Sequence, residues 1–411
     1  MTARKLLIAL ILLLVPAHSR SADATTLAGK VLCGYQGWFN CPGDRAGVGW
    51  RHWSKSVSKF TPSTVSVDMW PDMSEYEPSE RFKSGFTNRN GSAAEVFSSH
   101  RADTVRRHFR WMREYGIDGA IVQRFAIELA DPVFRRLRTT ILNHCRTAAE
   151  QEDRVFSLMY DLSGLGANRM RQIERDWSAL HAITNSSSYL LHQGKPLIGI
   201  WGVGFSDERK YGLEECLTLI EFFKRANCSV LLGVPTHWRR LKEDALADTE
   251  LHEIMKLADM ISPWTIGRYP DPTAIAERWI PQLNNDIAWC RSESLEYLPV
   301  VYPGFSWRNL RGGPLGVIPR RRGEFLWSQF TAAKRAGASM VYVAMFDEVD
   351  EATAIFKCTD TPPTAGQVRF LDNEGLPSDH YLRVTGAGGR LIRGDVSVGI
   401  PLPQALGNSV D

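Results

Sequence analysis

Short runs of apolar residues recur along the chain at 31–36, 118–125, 155–161, 196–201, 229–235, 260–264, 298–303 and 340–347, eight in all. Between them the apolar period lengthens to that of a helix. Val105, Phe109 and Met112 stand at i, i+4, i+7 ahead of Gly116, where a helix C-cap is expected. Asp131-Pro132 supplies an N-cap and a first-turn proline for a helix carrying Phe134, Leu137, Ile141, Cys145 and Ala148. Later helices are predicted on Met170, Ile173, Trp177 and Leu180, and on Phe325, Leu326, Phe330 and Ala333. Strands separated by helices call for parallel pairing, and eight such units close into an α/β fold of the (β/α)8, TIM-barrel type. A doubly wound open sheet is the alternative.

Two segments depart from the repeat. Residues 39–99, rich in Gly, Ser, Pro and Trp, read as a long insertion after the first strand, and "STVSVDMWPD" within it reads as a possible extra strand. From Thr361 the chain turns polar and Gly/Pro-rich. One short helix is expected there, opened by Ser378-Asp379 and carrying Tyr381 and Leu382, with fraying beyond Gly386. The predicted organisation is a leader at 1–24, a barrel domain at 25–385 and a loosely ordered tail at 386–411.

The leader rests on Arg4 and Lys5, an apolar stretch at 6–15, and the small-x-small close Ala22-Asp23-Ala24. Ten helical residues span only about 15 Å of a hydrocarbon core of about 30 Å, so the stretch reads as a secretory signal and not a membrane span. The mature chain is expected to begin near Thr25 and to be secreted or periplasmic. With 49 basic and 46 acidic residues the net charge is +3, and the single tight basic run, Arg320-Arg321-Arg322, reads as a solvated face at a helix start. Nucleic acid is therefore not an expected partner. Seven cysteines show no CxxC and no Cys/His spacing for zinc; Cys33 and Cys41 are close enough in sequence to clip the first loop, and Cys145 and Cys216 fall on apolar helix faces. No metal or other cofactor is expected. The pattern is silent on oligomeric state.

Chemistry is sought past the strand ends, where barrels of this type carry their reactive groups. The residues there are Tyr35, Gln36 and Trp38; Gln123 and Arg124; Tyr160 and Asp161; Trp201; His237 and Trp238; Trp264; and Tyr302, Phe305 and Trp307. Trp50, His52, Trp53 and Trp70 come from the insertion. Of 13 tryptophans, eight fall on strand ends or in the insertion. Indoles present flat apolar faces with a polar edge, which suits sugar rings; a barrel mouth simply filled with aromatics is the alternative. After the last run, Asp347, Glu348, Asp350 and Glu351 crowd four carboxylates into five positions. Two such charges about 5 Å apart repel by roughly 3 kcal/mol at an effective dielectric near 20. Strand alternation sends Asp347 and Glu348 to opposite sides, and an immediate turn brings Glu348 and Glu351 together. Paired carboxyls with separated pKa values suit glycoside hydrolysis.

"GIDGAIVQRF", "VYPGFSW" and "FDEVDEAT" together resemble the glycoside hydrolase family 71/99-like barrel proteins, over roughly residues 30–382 and most strongly in the last motif. In family 99 that strand ends in Asn-Glu-Trp-His-Glu-Gly-Thr; Glu348 matches its first glutamate, Glu351 its second and Thr353 its threonine. The resemblance implies that Glu348 is the base acting on the substrate's own 2-hydroxyl, giving a 1,2-anhydro sugar, and that Glu351 is acid and then base for water. Asp347, Val349, Asp350 and Ala352 depart from the pattern, and Gln123-Arg124 stands where Ser-Trp is common. An α-linked glycan is therefore implied, but not mannose in particular. A family 71 likeness would imply an inverting α-glucanase. The expected catalytic pair is Glu348 and Glu351. Substrate binding is expected from Tyr35, Trp38, His52, Trp53, Gln123, Arg124, Asp161, Trp201, His237, Trp264, Tyr302, Trp307 and Asp347, with an oligo- or polysaccharide as partner. Other readings are a noncatalytic glycan-binding barrel and a metal-dependent hydrolase using Asp347, Asp350 and Glu351.

Overall fold

In a computed structural model, which describes residues 21–364, 366–399 and 402, the apolar runs form the staves of a closed parallel barrel. The strands are β1 (Val31–Tyr35), β2 (Gly119–Phe125), β3 (Val155–Asp161), β4 (Lys195–Trp201), β5 (Ser229–Pro235), β6 (Met260–Trp264), β7 in two pieces (Glu296–Tyr297 and Val300–Val301) and β8 (Val341–Val343). Each pairs with the next in parallel, and β1 pairs with both β2 and β8, which rules out the open sheet. Closure runs through β7. Its first piece is bonded to β6 and its second to β8, with the break at Leu298-Pro299, where proline has no N–H for the ladder.

Interior packing alternates large with small. Gly34 faces Tyr342 and Met345, Gly199 faces Met159, and Gly233 faces Trp201; a Cβ on any of the three would sit within 2.8 Å of those side chains. Helices form around the barrel, α1 (Ala102–Glu114), α2 (Pro132–Gln151), α3 (Arg171–Leu180), α4 (Leu213–Arg225), α5 (Glu250–Met255), α6 (Ile280–Ser292) and α7 (Glu324–Arg335), of which α1, α2, α3 and α7 are the four placed from the sequence. Asp131 caps α2 by accepting from the N–H groups of Val133 and Phe134, and Gly116 takes φ +73° after α1.

Several expectations are corrected. The helix expected to fray beyond Gly386 continues to Arg393 as α8 (His380–Arg393). Its glycines, each about 1 kcal/mol poorer than alanine in a helix, fit where the helix is pressed hardest. A Cβ on Gly386 would lie 1.9 Å from the Tyr115 carbonyl, and one on Gly388 2.6 Å from the Phe330 ring. The insertion holds no strand at 63–72; its strands are a hairpin, Phe82–Thr87 with Ala93–Val96. All seven cysteines are free and buried, and Cys41 donates to the Phe97 carbonyl instead of bonding Cys33. Arg320 is buried, not solvated, and donates to the carbonyls of Ala352 and Ala354.

Most of the expected leader lies outside the described residues. Ala22 donates to the Asp153 carbonyl, and Ala24 accepts from Leu191, both at the amino-terminal end of the barrel. Among the described residues no helix is long and apolar enough to cross a membrane.

Candidate active site

The carboxyl ends of the strands surround a cavity of about 910 Å³. Nine of the fifteen residues expected to catalyse or to bind substrate line it: Trp38, His52, Gln123, Asp161, Trp201, Trp264, Trp307, Glu348 and Glu351. Gln36 and Asp350 line it as well.

The acidic turn after β8 is held from three sides. Asp347 points away from the cavity and accepts from the N–H groups of Gln36 (2.8 Å) and Gly37 (2.9 Å), tying β8 to the end of β1. Asp68 and Met69 of the insertion both donate to the Val349 carbonyl. Ser306, after β7, donates its N–H to the Glu351 carbonyl. Within this frame Glu348 accepts at one oxygen from Gln36 Nε2 (2.8 Å) and at the other from Thr353 Oγ1 (2.7 Å). Glu351 and Trp307 line the same cavity, and the indole works against the rise in the Glu351 pKa.

Charge crowding has its expected effect. Burial, then Glu351 and Asp350, push the Glu348 carboxyl well above its ordinary range. Burial and Asp350 raise Glu351 to about 7, burial raises Asp350 to about 8, and burial raises Asp347 to about 7. The two donors on Glu348 oppose that shift and favour its ionised form. The cluster as a whole retains protons at neutral pH. His52 Nδ1 lies 3.5 Å from Asp350 Oδ2, but burial and Arg138 lower the imidazole pKa well below its usual value, so this is not a pair of charges.

These shifts fix a sign for stability. A buried carboxyl whose pKa is raised holds its proton while the unfolded chain has already ionised, so the unfolded state binds fewer protons and stability falls as pH rises. Histidines with lowered values, such as His108 at about 3, act oppositely but only below about 6.5. Between pH 6.5 and 8, therefore, the melting temperature is expected to fall. In Asp350→Asn the fall should be shallower, and a calorimetric scan at each pH checks it.

Six expected site residues do not line the cavity. Strand alternation accounts for three of them: residues 34 and 36 on β1 and 123 and 125 on β2 face inward, so Tyr35 and Arg124 face the helices. Tyr35 OH contacts His108 Nδ1 at 2.9 Å, and Arg124 holds Asp176 of α3 through two bonds of 2.6 Å. Tyr302 likewise turns out, donating to the Tyr269 carbonyl. Trp53 is buried in the insertion's own aromatic core with Phe39, Phe60 and Phe97. His237 stands behind the wall and bonds Asp244 (2.9 Å), which is in the lining. Asp347 is the sixth, pinned to β1 as above. Trp50, Trp70 and Trp238 are buried too.

Sequence reasoning missed Arg209, Asp244, Arg268 and Arg311, which also line the cavity. Arg209, Asp244 and Arg268 sit on loops past the strand ends and Arg311 ends a one-turn helix, Arg308–Arg311, where no periodicity marks direction. Both oxygens of Asp347 are taken up by the Gln36 and Gly37 N–H groups, and among the described residues no group of three His, Cys, Asp or Glu side chains is placed to hold a metal ion.

The indoles differ in what they offer. Trp38 carries His52 stacked at 3.9 Å and 7° and Phe125 at 5.2 Å and 21°, so its faces are occupied. Trp201 carries the Arg209 guanidinium at 5.1 Å. Trp307, 42% exposed, keeps open face. Four buried polar atoms on cavity-lining residues have no partner among the described residues: Gln36 Oε1, Asp350 Oδ1 and the indole nitrogens of Trp38 and Trp201. Unpaired buried polar groups cost about 1–3 kcal/mol each unless a ligand satisfies them.

No family model matches the chain, and no curated protein matches it. Among solved structures, the GH99 endo-α-mannosidase from Bacteroides thetaiotaomicron is similar in fold. Two structures of it give TM-scores of 0.66 and 0.64 at 15% and 16% identity, each covering 90% of this chain and 99% of its own. A glycoside hydrolase-like protein gives a TM-score of 0.51 at 12% identity, over 75% of this chain and 89% of its own.

Proposed function

We propose that the protein is an exported glycoside hydrolase that cleaves an α-linked glycan with retention, through a 1,2-anhydro sugar. The observation that carries this reading is the pair Glu348 and Glu351, facing one barrel-mouth cavity, with the Glu348 carboxylate oriented by Gln36 and Thr353. The open face of Trp307 and the four unpaired polar atoms, two donors and two acceptors, suit a ring dressed with hydroxyls.

The reactive form has Glu351 protonated and Glu348 ionised, the state its two donors favour, and in the first step Glu348 takes the proton from the substrate's 2-hydroxyl, whose oxygen bonds to C1. The C1–O bond to the leaving sugar breaks, and Glu351 gives that oxygen its proton. In the second step Glu351 takes a proton from water, the water oxygen bonds to C1, the C1–O2 bond breaks, and O2 recovers a proton from Glu348. A Glu351 pKa of about 7 lets one group donate and then accept near neutrality. The reading is tested by incubating the purified protein with α-mannans, α-glucans and pentosans. New reducing ends with the wild type but not with Glu348→Gln are expected. Glycan binding without cleavage of any substrate would make it a noncatalytic barrel.

The two indole environments separate in a further test. In a Glu348→Gln background, Trp307→Ala is expected to weaken glycan binding by about 1–3 kcal/mol, the size of stacking losses at flat-ring platforms, with the melting temperature unchanged. Trp38→Ala, which removes the partner of His52 and Phe125, is expected to lower the melting temperature as well. Calorimetric titration and thermal melts read the two effects, and a destabilised Trp307→Ala would show that this indole is packing, not platform.

A further inference from the structure

A second cavity, of about 790 Å³, lies beside the loops that follow β2 and β3. It is lined by Arg135, Arg169, Arg171 and Arg175, all exposed, and by a single acid, Asp176. Asp176 contributes no free charge, because Arg124 Nε and Nη2 hold both its oxygens at 2.6 Å and Tyr160 donates to it at 2.7 Å. The groove therefore carries four uncompensated guanidinium groups in a chain whose whole net charge is +3. None of the four makes an ion pair among the described residues. Like charges gathered around one concavity repel, and an anion placed among them relieves that repulsion while taking several charge-assisted hydrogen bonds.

Position says what the anion belongs to. Phe125 and Asp161 line the first cavity, and the segments running directly on from them, through Leu129 and Ala130 and through Ala167 to Gln172, line the second. Gln172 Nε2 donates to the Ala126 carbonyl and ties the two segments together. Successive parts of one pair of loops thus line the two cavities. Their linings differ: six acids and three arginines line the first, whereas four arginines and one already paired acid line the second. We propose that the arginine groove is an outer subsite for an acidic glycan, binding carboxylate or sulfate substituents of a chain whose uncharged unit occupies the first cavity. This rests on the glycoside hydrolase reading for the identity of the ligand as a glycan, but binding at the groove is measurable without turnover.

The test uses the full mature chain carrying Glu348→Gln, titrated with polygalacturonate, heparin, neutral mannan and single-stranded DNA in low and high salt. Polygalacturonate or heparin should bind more tightly than mannan and DNA, and its affinity should fall by at least about tenfold between 50 mM and 500 mM NaCl, as charge-driven binding does. Arg169→Glu/Arg175→Glu should lose a comparable factor for the acidic glycan while its mannan affinity is unchanged. Arg169→Gln/Arg175→Gln, a milder change at exposed positions, should lose part of it and stands in if the reversal variant does not fold. Equal affinity of variant and parent, or DNA binding as tight as the acidic glycan, would overturn the proposal. Absence of hydrolysis by the wild type, with groove binding intact, would count against the catalytic reading alone.

Discussion

Glu348→Gln is expected to stay slow with every leaving group, whereas Glu351→Gln should recover when the leaving group needs no proton. With a sugar leaving group both substitutions should cost about 10²–10⁴ in rate, the usual size of a general acid–base contribution. An activated aryl glycoside or glycosyl fluoride departs unprotonated, so Glu351→Gln should keep much of its first-step rate. Glu348→Gln should not, because the 2-hydroxyl must still lose its proton before O2 bonds to C1. The geometry makes the two changes comparable. Glu348 is fixed by Gln36 and Thr353, and the Glu351 backbone is held by the Ser306 N–H, so each amide replaces a carboxyl in a site built by other residues. A 2-deoxy substrate should not turn over at all, and NMR of the first-formed product should show retention. Turnover of the 2-deoxy substrate, or an inverted product, would replace the neighbouring-group mechanism with attack by water between the two carboxyls, as in family 71.

The second large effect is on stability, at a residue the sequence places in the site and the fold places outside it. Arg124 and Asp176 are 1% and 3% exposed, and removing one partner of such a buried pair leaves the other charge uncompensated. Arg124→Leu is therefore expected to cost about 3–5 kcal/mol in a denaturant melt. The double variant Arg124→Leu/Asp176→Leu should recover much of that loss, because no charge is then left buried. In the protein that remains folded, kcat/KM should match the wild type. A stable Arg124→Leu with a raised KM would instead return this arginine to the substrate. Charge reversal in the outer groove is a separate matter, since those arginines are exposed and unpaired.

What was legible in the sequence was what local chemistry fixes. Eight apolar runs between helical segments specified parallel strands alternating with helices, and Asp131-Pro132 and Gly116 marked helix ends by capping rules that act over a few residues. The spacing of Glu348 and Glu351 brought both to one side of the turn after β8, where the structure also has them. Alternation, equally local, separates Gln36 from Tyr35 and Gln123 from Arg124, and a reading that applied the pleat to every strand end would have left Tyr35 and Arg124 out.

The rest depends on contacts between residues far apart in the chain. Trp53 belongs to a core the insertion must build for itself, because some 60 residues laid over a barrel mouth have apolar surface of their own to bury. Trp38 loses its stacking faces to His52 and Phe125, which come from two other segments. A glycine-rich stretch with poor helix propensity becomes α8 because only a residue without a Cβ fits against Tyr115 and Phe330. The sequence by itself determined which elements form and which carboxylates are crowded, since propensity, period and spacing are properties of neighbours. Only the tertiary structure decided which aromatic and charged groups meet in the cavity and which vanish into packing. That outcome is set by side chains brought together from tens to hundreds of residues away, and no pattern along one chain encodes it.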